Sequence, residues 1–408
     1  MMKPTTRRFI TIAAFALTVA AATGALLRFG LIWGMPAWAT SYTAIRHAHS
    51  HLMYFGWVTL ALMALIWHFL PQQTGRPLPR GVGGQMTASA LLALLSFPAF
   101  WINGYGTTQV GSAELPLGSM AAGLNGVVWL IFVALYLRAT WRLPQRTLVL
   151  QLWDWALILL LLAFCGALGL VAAVFLDLRA PLIQQLALHL FLDLFGVGWF
   201  QLALLGTIWA LLEQRQVTPP HWLPSQSLAL LLVPSFLLGV SPAVLSADLF
   251  WLGALANAGA ALLLIRHFAA LWQQRRRLPP FIVWALLPLA LHIGTALVIL
   301  WPGVWTWSAG TQLRIFFLHN FLLGWISSAL LGVLFTILGE QRQRWDQGIR
   351  LLWFTGIGVM IAALLGIGLI QFLPVSAALL FRVAAWSSIF VVLAAGGFLV
   401  RCVQSDNS

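Results

Sequence analysis

The sequence predicts an all-α polytopic membrane protein with twelve transmembrane helices in three pseudo-repeated four-helix arcs. Three observations predict it. Apolar runs of membrane-spanning length fill the chain, so that mean hydropathy is +0.92 and only 8% of residues are charged, against about 25% in a soluble domain. At about 20 residues per span plus short connections, 408 residues hold about a dozen helices. A short histidine-led motif also recurs at about one third of the chain length. The alternating ten-residue segments of a membrane barrel are missing.

In chain order the predicted spans are 9–33, 44–70, 84–101, 117–138, 152–176, 182–212, 226–246, 248–271, 280–301, 312–339, 350–373 and 376–401. The first, in KPTTRRFITIAAFALTVAAATGA, has the basic head and small residues of a secretory signal. Its apolar run continues past those small residues, which favours a retained span. With the N-terminus inside, 17 of the 22 basic residues fall in cytoplasmic segments, the bias that orients membrane proteins. Both termini are then cytoplasmic, and the net charge of +13 needs no nucleic acid to explain it. Cys165 and Cys402 lie in different spans, which gives neither a disulfide framework nor metal-type spacing. Most of the 22 tryptophans are expected in interfacial belts and in packing.

The recurring motif reads HSHLMYFGW at 49–57, HLFLDLFGVGW at 189–199 and HNFLLGW at 319–325. From His51 to His189 is 138 positions and from His189 to His319 is 130, against a third of the chain at 136. These segments open predicted helices 2, 6 and 10, so the repeat is four helices long, with approximate units 1–140, 141–275 and 276–408. Each histidine is expected roughly 10 Å below the outer surface, all three at one level.

An imidazole at that depth is costly unless it faces the bundle interior with a partner. It serves either as a helix–helix hydrogen bond, worth about 1–2 kcal/mol at most, or as a ligand to metal or haem iron. Three at one depth on repeat-related helices favour ligation. His47 and His51 lie on one helical face and His49 points nearly opposite, so at most two of them reach one centre. Gly56, Gly196, Gly198 and Gly324 follow one to two turns inward, where a macrocycle or a neighbouring helix can approach. Asp193 shares a face with His189, either orienting that imidazole or standing protonated in a polar path. His292 is a lone mid-helix candidate. His68, His221 and His267 read as solvated, and Asn103, Asn125 and Asn257 as bonds between helices. Arg46 and Arg314, on the outer side, either snorkel to headgroups or pair with carboxylates bound beneath them. CxxC, HExxH and carboxylate clusters are missing, so a hydrolytic zinc site is poorly supported.

With histidines at the outer ends of helices 2, 6 and 10, the chain resembles subunit I of the haem–copper oxidase and nitric oxide reductase superfamily. AHSHLMYFGW is similar to that superfamily's His-x-His-Leu segment, and LHNFLLGW to its helix-10 segment with the first histidine replaced by Phe317. HAH at 47–49 also resembles the NnrS family of haem- and copper-containing membrane proteins. The resemblance implies a haem between one of His47 or His51 and His319, its propionates met by Arg46 and Arg314, and copper at His189. His49 and His292 remain further metal candidates. Helix 7, LALLLVPSFLLGVSPAVLS, lacks the paired histidines of the family's copper site, and helix 10 lacks the ligand of its active-site haem. Full oxygen reduction and proton pumping are therefore not expected.

What the resemblance implies is a redox or nitric oxide-related protein of the bacterial inner membrane, using haem and copper. It would meet an electron-donor protein or partner subunits and bind a small gas such as nitric oxide or oxygen. A polytopic transporter is the rival reading, although transporter repeats more often come in twos. A non-catalytic assembly or sensor subunit is the other.

Overall fold

The structure is a computed structural model that describes residues 4–39, 41–301, 303–339 and 343–404. The chain is an all-α integral membrane protein, with eleven helices among the described residues long and apolar enough to cross a membrane. In order they are α1 Pro4–Trp33, α2 Tyr42–Thr74, α3 Val82–Asn103, α4 Leu117–Thr140, α5 Leu148–Phe175 and α6 Pro181–Gln214. A shorter helix, α7 Gln226–Gly239, precedes α8 Ala247–Gln273, α9 Pro280–Val298 and α10 Leu313–Leu338. The last two are α11 Gln343–Gly368 and α12 Ala377–Gln404. Between α3 and α4 a small hairpin pairs β1 Thr108–Val110 with β2 Ala113–Leu115.

Local signals fix the ends that matter for the site. The Ser41 hydroxyl accepts from the Ala44 amide and caps α2, and Gly75 ends it in the left-handed region at φ 66°. Helix α7 stops seven residues short of its predicted end at 246. Pro234 removes a backbone donor, the last turn tightens to a 3₁₀ turn over Phe236–Gly239, and Pro242 disfavours helix at Ser241.

The chain forms two compact units. The first comprises residues 1–142 and 334–408, in which α1 packs on α2 and α12, α3 on α2 and α4, and α11 on α12. At one end of this unit the buried Arg401 pairs with Asp346 at 3.3 Å. The second unit, 143–333, is built from α5 to α9 and most of α10, with α6 against α5 and α7, and α9 against α8 and α10. The three repeat helices are the most buried of the long helices: their most apolar windows are 89% (α2), 94% (α6) and 72% (α10) buried, against 39–56% in the other eight.

Each of those three helices contains a π-helical segment, at Leu52–Thr59, Leu194–Phe200 and Asn320–Ser327. Such segments account for well under 1% of residues in proteins. Each here begins directly after a polar residue, His51, Asp193 or His319, and each contains a Gly-Trp pair. Trp57, Trp199 and Trp325 are fully buried, so these repeat tryptophans belong to the core rather than to an interfacial belt.

The π segments correct the register of the repeat. Counted from their first residues, Asp193 rather than His189 aligns with His51 and His319, while His189 aligns with His47 and Ile315. His189 thus stands one turn of its own helix, about 6 Å, before the repeat position that His51 and His319 occupy. The same count aligns Arg46 with Arg314, and the buried polar residues Thr59, Gln201 and Ser327 with one another.

Candidate functional site

In the first unit the site is built on the opening turns of α2. His51 Nδ1 donates to the His47 carbonyl at 2.8 Å, and a carbonyl can only accept, so the proton sits on Nδ1 and the lone pair on Nε2. That nitrogen is 3.1 Å from the Tyr105 hydroxyl. Although Tyr105 is 52% exposed overall, burial pushes its phenol up to about 12, so it stays protonated and donates. Phe100 of α3 stacks on the His51 ring at 3.7 Å with planes 20° apart. His47 lies 6.5 Å from His51 and 4.8 Å from Tyr105, ring centre to ring centre, and among the described residues its own ring has no hydrogen-bond partner.

Sequence reasoning missed Tyr105. The turn that delivers it is built by glycine: Gly104 has φ 58°, and a Cβ there would come within 3.5 Å of His47 and of the Ala44 backbone. Asn103 donates to the Thr107 carbonyl across the same turn rather than between helices. An aromatic residue in the Gly-Tyr-Gly stretch was the available signal.

His49 turns away, as its position two residues from both neighbours requires. Its Nδ1 donates to the Ala20 carbonyl of α1 at 2.8 Å, in space left by Gly24, where a Cβ would stand 2.9 Å from the imidazole. It does not join His47 and His51. Gly56 is also filled by α1, because a Cβ there would meet Ala16 at 2.8 Å. Gly198 packs on Leu159 in the same way, while Gly196 meets only Phe321 at 3.8 Å. Gly324 is buried. Arg46 and Arg314 are exposed.

In the second unit His189 Nδ1 lies 3.0 Å from Asp193 Oδ2, with the imidazole 4% and the carboxylate 35% exposed. Gly239, at the broken end of α7, lies directly against both, leaving no room for a side chain. The Gln185 side chain accepts from the Ser241 amide at 2.7 Å and holds the following stretch. His319 Nδ1 donates to the Ile315 carbonyl at 2.7 Å, the same bond one turn back that His51 makes. His292 is buried between Phe317 and Phe321, 5.1 and 4.8 Å from their ring centres. Among the described residues its Nδ1 has no hydrogen-bond partner, nor has Oδ1 of Asn320, whose amide nitrogen donates to the Pro288 carbonyl.

The remaining expectations divide. Asn125 bonds Ser96 between α4 and α3, and Asn257 bonds the Ala296 carbonyl between α8 and α9. His221 is exposed and His68 half-buried. His267, expected in solvent, is fully buried and donates Nε2–H to the Pro224 carbonyl, because the connection before α7 folds back over it. Cys165 and Cys402 are free thiols. Among the described residues no group of three or more His, Cys, Asp or Glu is placed to hold a metal ion. Among known proteins, no family model and no curated sequence matches the chain.

Proposed function

We propose that the chain is a haem-binding integral membrane protein with copper as a second metal. Its work is redox or nitric oxide-related chemistry, as its resemblance to haem–copper oxidase subunit I and the NnrS family implies. The observation that carries the reading is shared by His51, His189 and His319. Each gives Nδ1 to an acceptor, the second bond that metal-bound histidines make almost always. His319 is the residue that would hold haem iron, and His189, oriented by Asp193, the one that would hold copper. Haem, when bound, supplies a one-electron couple and a coordination position for a small gas such as nitric oxide or oxygen. The chain's own part is to fix each ring and tautomer and to surround it with apolar helices. The same proposal includes twelve spans in three arcs with α7 as the short seventh, a bacterial inner membrane with both termini cytoplasmic, and an electron-donor protein or partner subunit.

The test is a reduced-minus-oxidised optical spectrum of the purified protein. A haem signal lost in His319→Ala supports the reading, and a colourless, metal-free, folded protein overturns it. Copper content of His189→Ala tests the second metal separately. A transporter is the second reading, favoured by one feature: a helix broken at Gly239, directly against the polar His189–Asp193 pair, as in the interrupted helices that line transport sites. Solute-dependent uptake into vesicles by a colourless protein would decide for it.

A further inference from the structure

Haem fits poorly at His51, because one face of the ring is covered by Phe100 at 3.7 Å and Nε2 is met by the Tyr105 hydroxyl at 3.1 Å. A bare ion fits well. Two ligands of one tetrahedral ion, each about 2.0–2.1 Å from it, stand about 3.3 Å apart. His51 Nε2 and Tyr105 Oη are 3.1 Å apart in their hydrogen bond, close to that spacing. His47, one turn back on the same face, is half-buried, and its ring centre lies 6.5 Å from that of His51 and 4.8 Å from that of Tyr105, which makes a rotated His47 the candidate third donor.

We propose that His47, His51 and Tyr105 form a site for one divalent transition-metal ion, of the Cu²⁺ or Zn²⁺ class, at the start of α2. Two neutral imidazoles and one phenol oxygen are borderline donors that suit Cu²⁺ or Zn²⁺ and not Mg²⁺ or Ca²⁺. The ion enters between Nε2 and Oη, the phenol proton leaves to solvent, and the phenolate and two imidazoles bind it with a water in the fourth position. The His51 Nδ1 bond to the His47 carbonyl keeps the ligand nitrogen aimed at the ion. The Gly104 turn holds the phenol opposite. The site requires no haem and stands apart from the reading of His319 and His189.

The experiment titrates the metal-stripped full-length protein in detergent with Cu²⁺ alone and then with Zn²⁺ alone, by calorimetry and, for copper, by electron paramagnetic resonance. A bound ion with nitrogen donors and a phenolate-to-copper absorption band is expected. Tyr105→Phe keeps the aromatic packing and should abolish the band and weaken binding at least about tenfold. His47→Gln, at a half-buried position and with folding checked by thermal unfolding, should weaken it by about as much and remove one nitrogen from the resonance. Exposed His221→Ala is the control for adventitious binding. Unaltered affinity in both Tyr105→Phe and His47→Gln, or a loss equal to that of His221→Ala, overturns the site. Because the optical haem spectrum of His319→Ala is a separate readout, failure of the ion site and failure of the haem reading are distinguishable.

Discussion

Helices α2 and α6 share one backbone device and carry different chemistry. Each has a π-helical segment with Gly-Trp inside it, starting at the same point of the repeat. In α2 the residue before that segment is His51, held by a backbone carbonyl and met by a phenol. In α6 the same position is Asp193, and the imidazole stands one turn earlier as His189, held by that carboxylate. The repeat therefore preserves a place for an oriented imidazole and not its residue number. A carboxylate partner makes Nε2 a stronger base than a carbonyl partner does, so the two rings differ in ligand strength while sharing a tautomer.

The comparison breaks most readily at the glycines that admit each ring. Gly239→Ala should cost the most, about 3 kcal/mol from overpacking, because its Cβ would fall on His189 and Asp193 together. A thermal unfolding scan alongside wild type checks it, and a variant of wild-type stability would mean that α7 does not press on the pair. On the α2 side Gly24→Ala should cost about 1–2 kcal/mol, since Cβ lies 2.9 Å from the His49 ring in its bond to α1. Tyr105→Phe removes one hydrogen bond and should lower stability by about 1 kcal/mol. It should also reduce the late part of a phenol absorbance titration by one residue, because burial raises the Tyr105 phenol to about 12. Its folded-state value is raised, so its contribution to stability is intact below pH 10 and fades as pH rises from about 10 towards about 12. Gly196→Ala is the smallest effect, within about 0.5 kcal/mol, since only Phe321 at 3.8 Å stands near the new methyl.

The spans were legible because hydropathy depends on composition over about twenty residues and survives errors at the ends. Helix α7 was not, because its apolar run continues to Leu245 while Pro234, Gly239 and Pro242 end the helix earlier. Backbone stops outrank hydropathy there. The opposition of His49 to His47 and His51 followed from helical geometry alone, and its landing on α1 agrees with it. The register of the repeat did not follow, because matching histidine to histidine gives weight to a side chain that the second repeat has moved by one turn. Gly-Trp was the better anchor: it lies inside the π segment in every copy. Tyr105 and the burial of His267 were hidden for a common reason. Both depend on a connection folding back onto a helix, which periodicity within either segment does not encode.

The central claim is that all three repeat histidines donate from Nδ1 and turn Nε2 towards a ligand. A nitrogen-15 spectrum of the metal-free protein, labelled at histidine and assigned with His51→Ala, His189→Ala and His319→Ala, tests it most directly. The expected result is three assigned rings with a protonated Nδ1 and an unprotonated Nε2 at neutral pH. Rings protonated at Nε2 instead, or at both nitrogens, would contradict it.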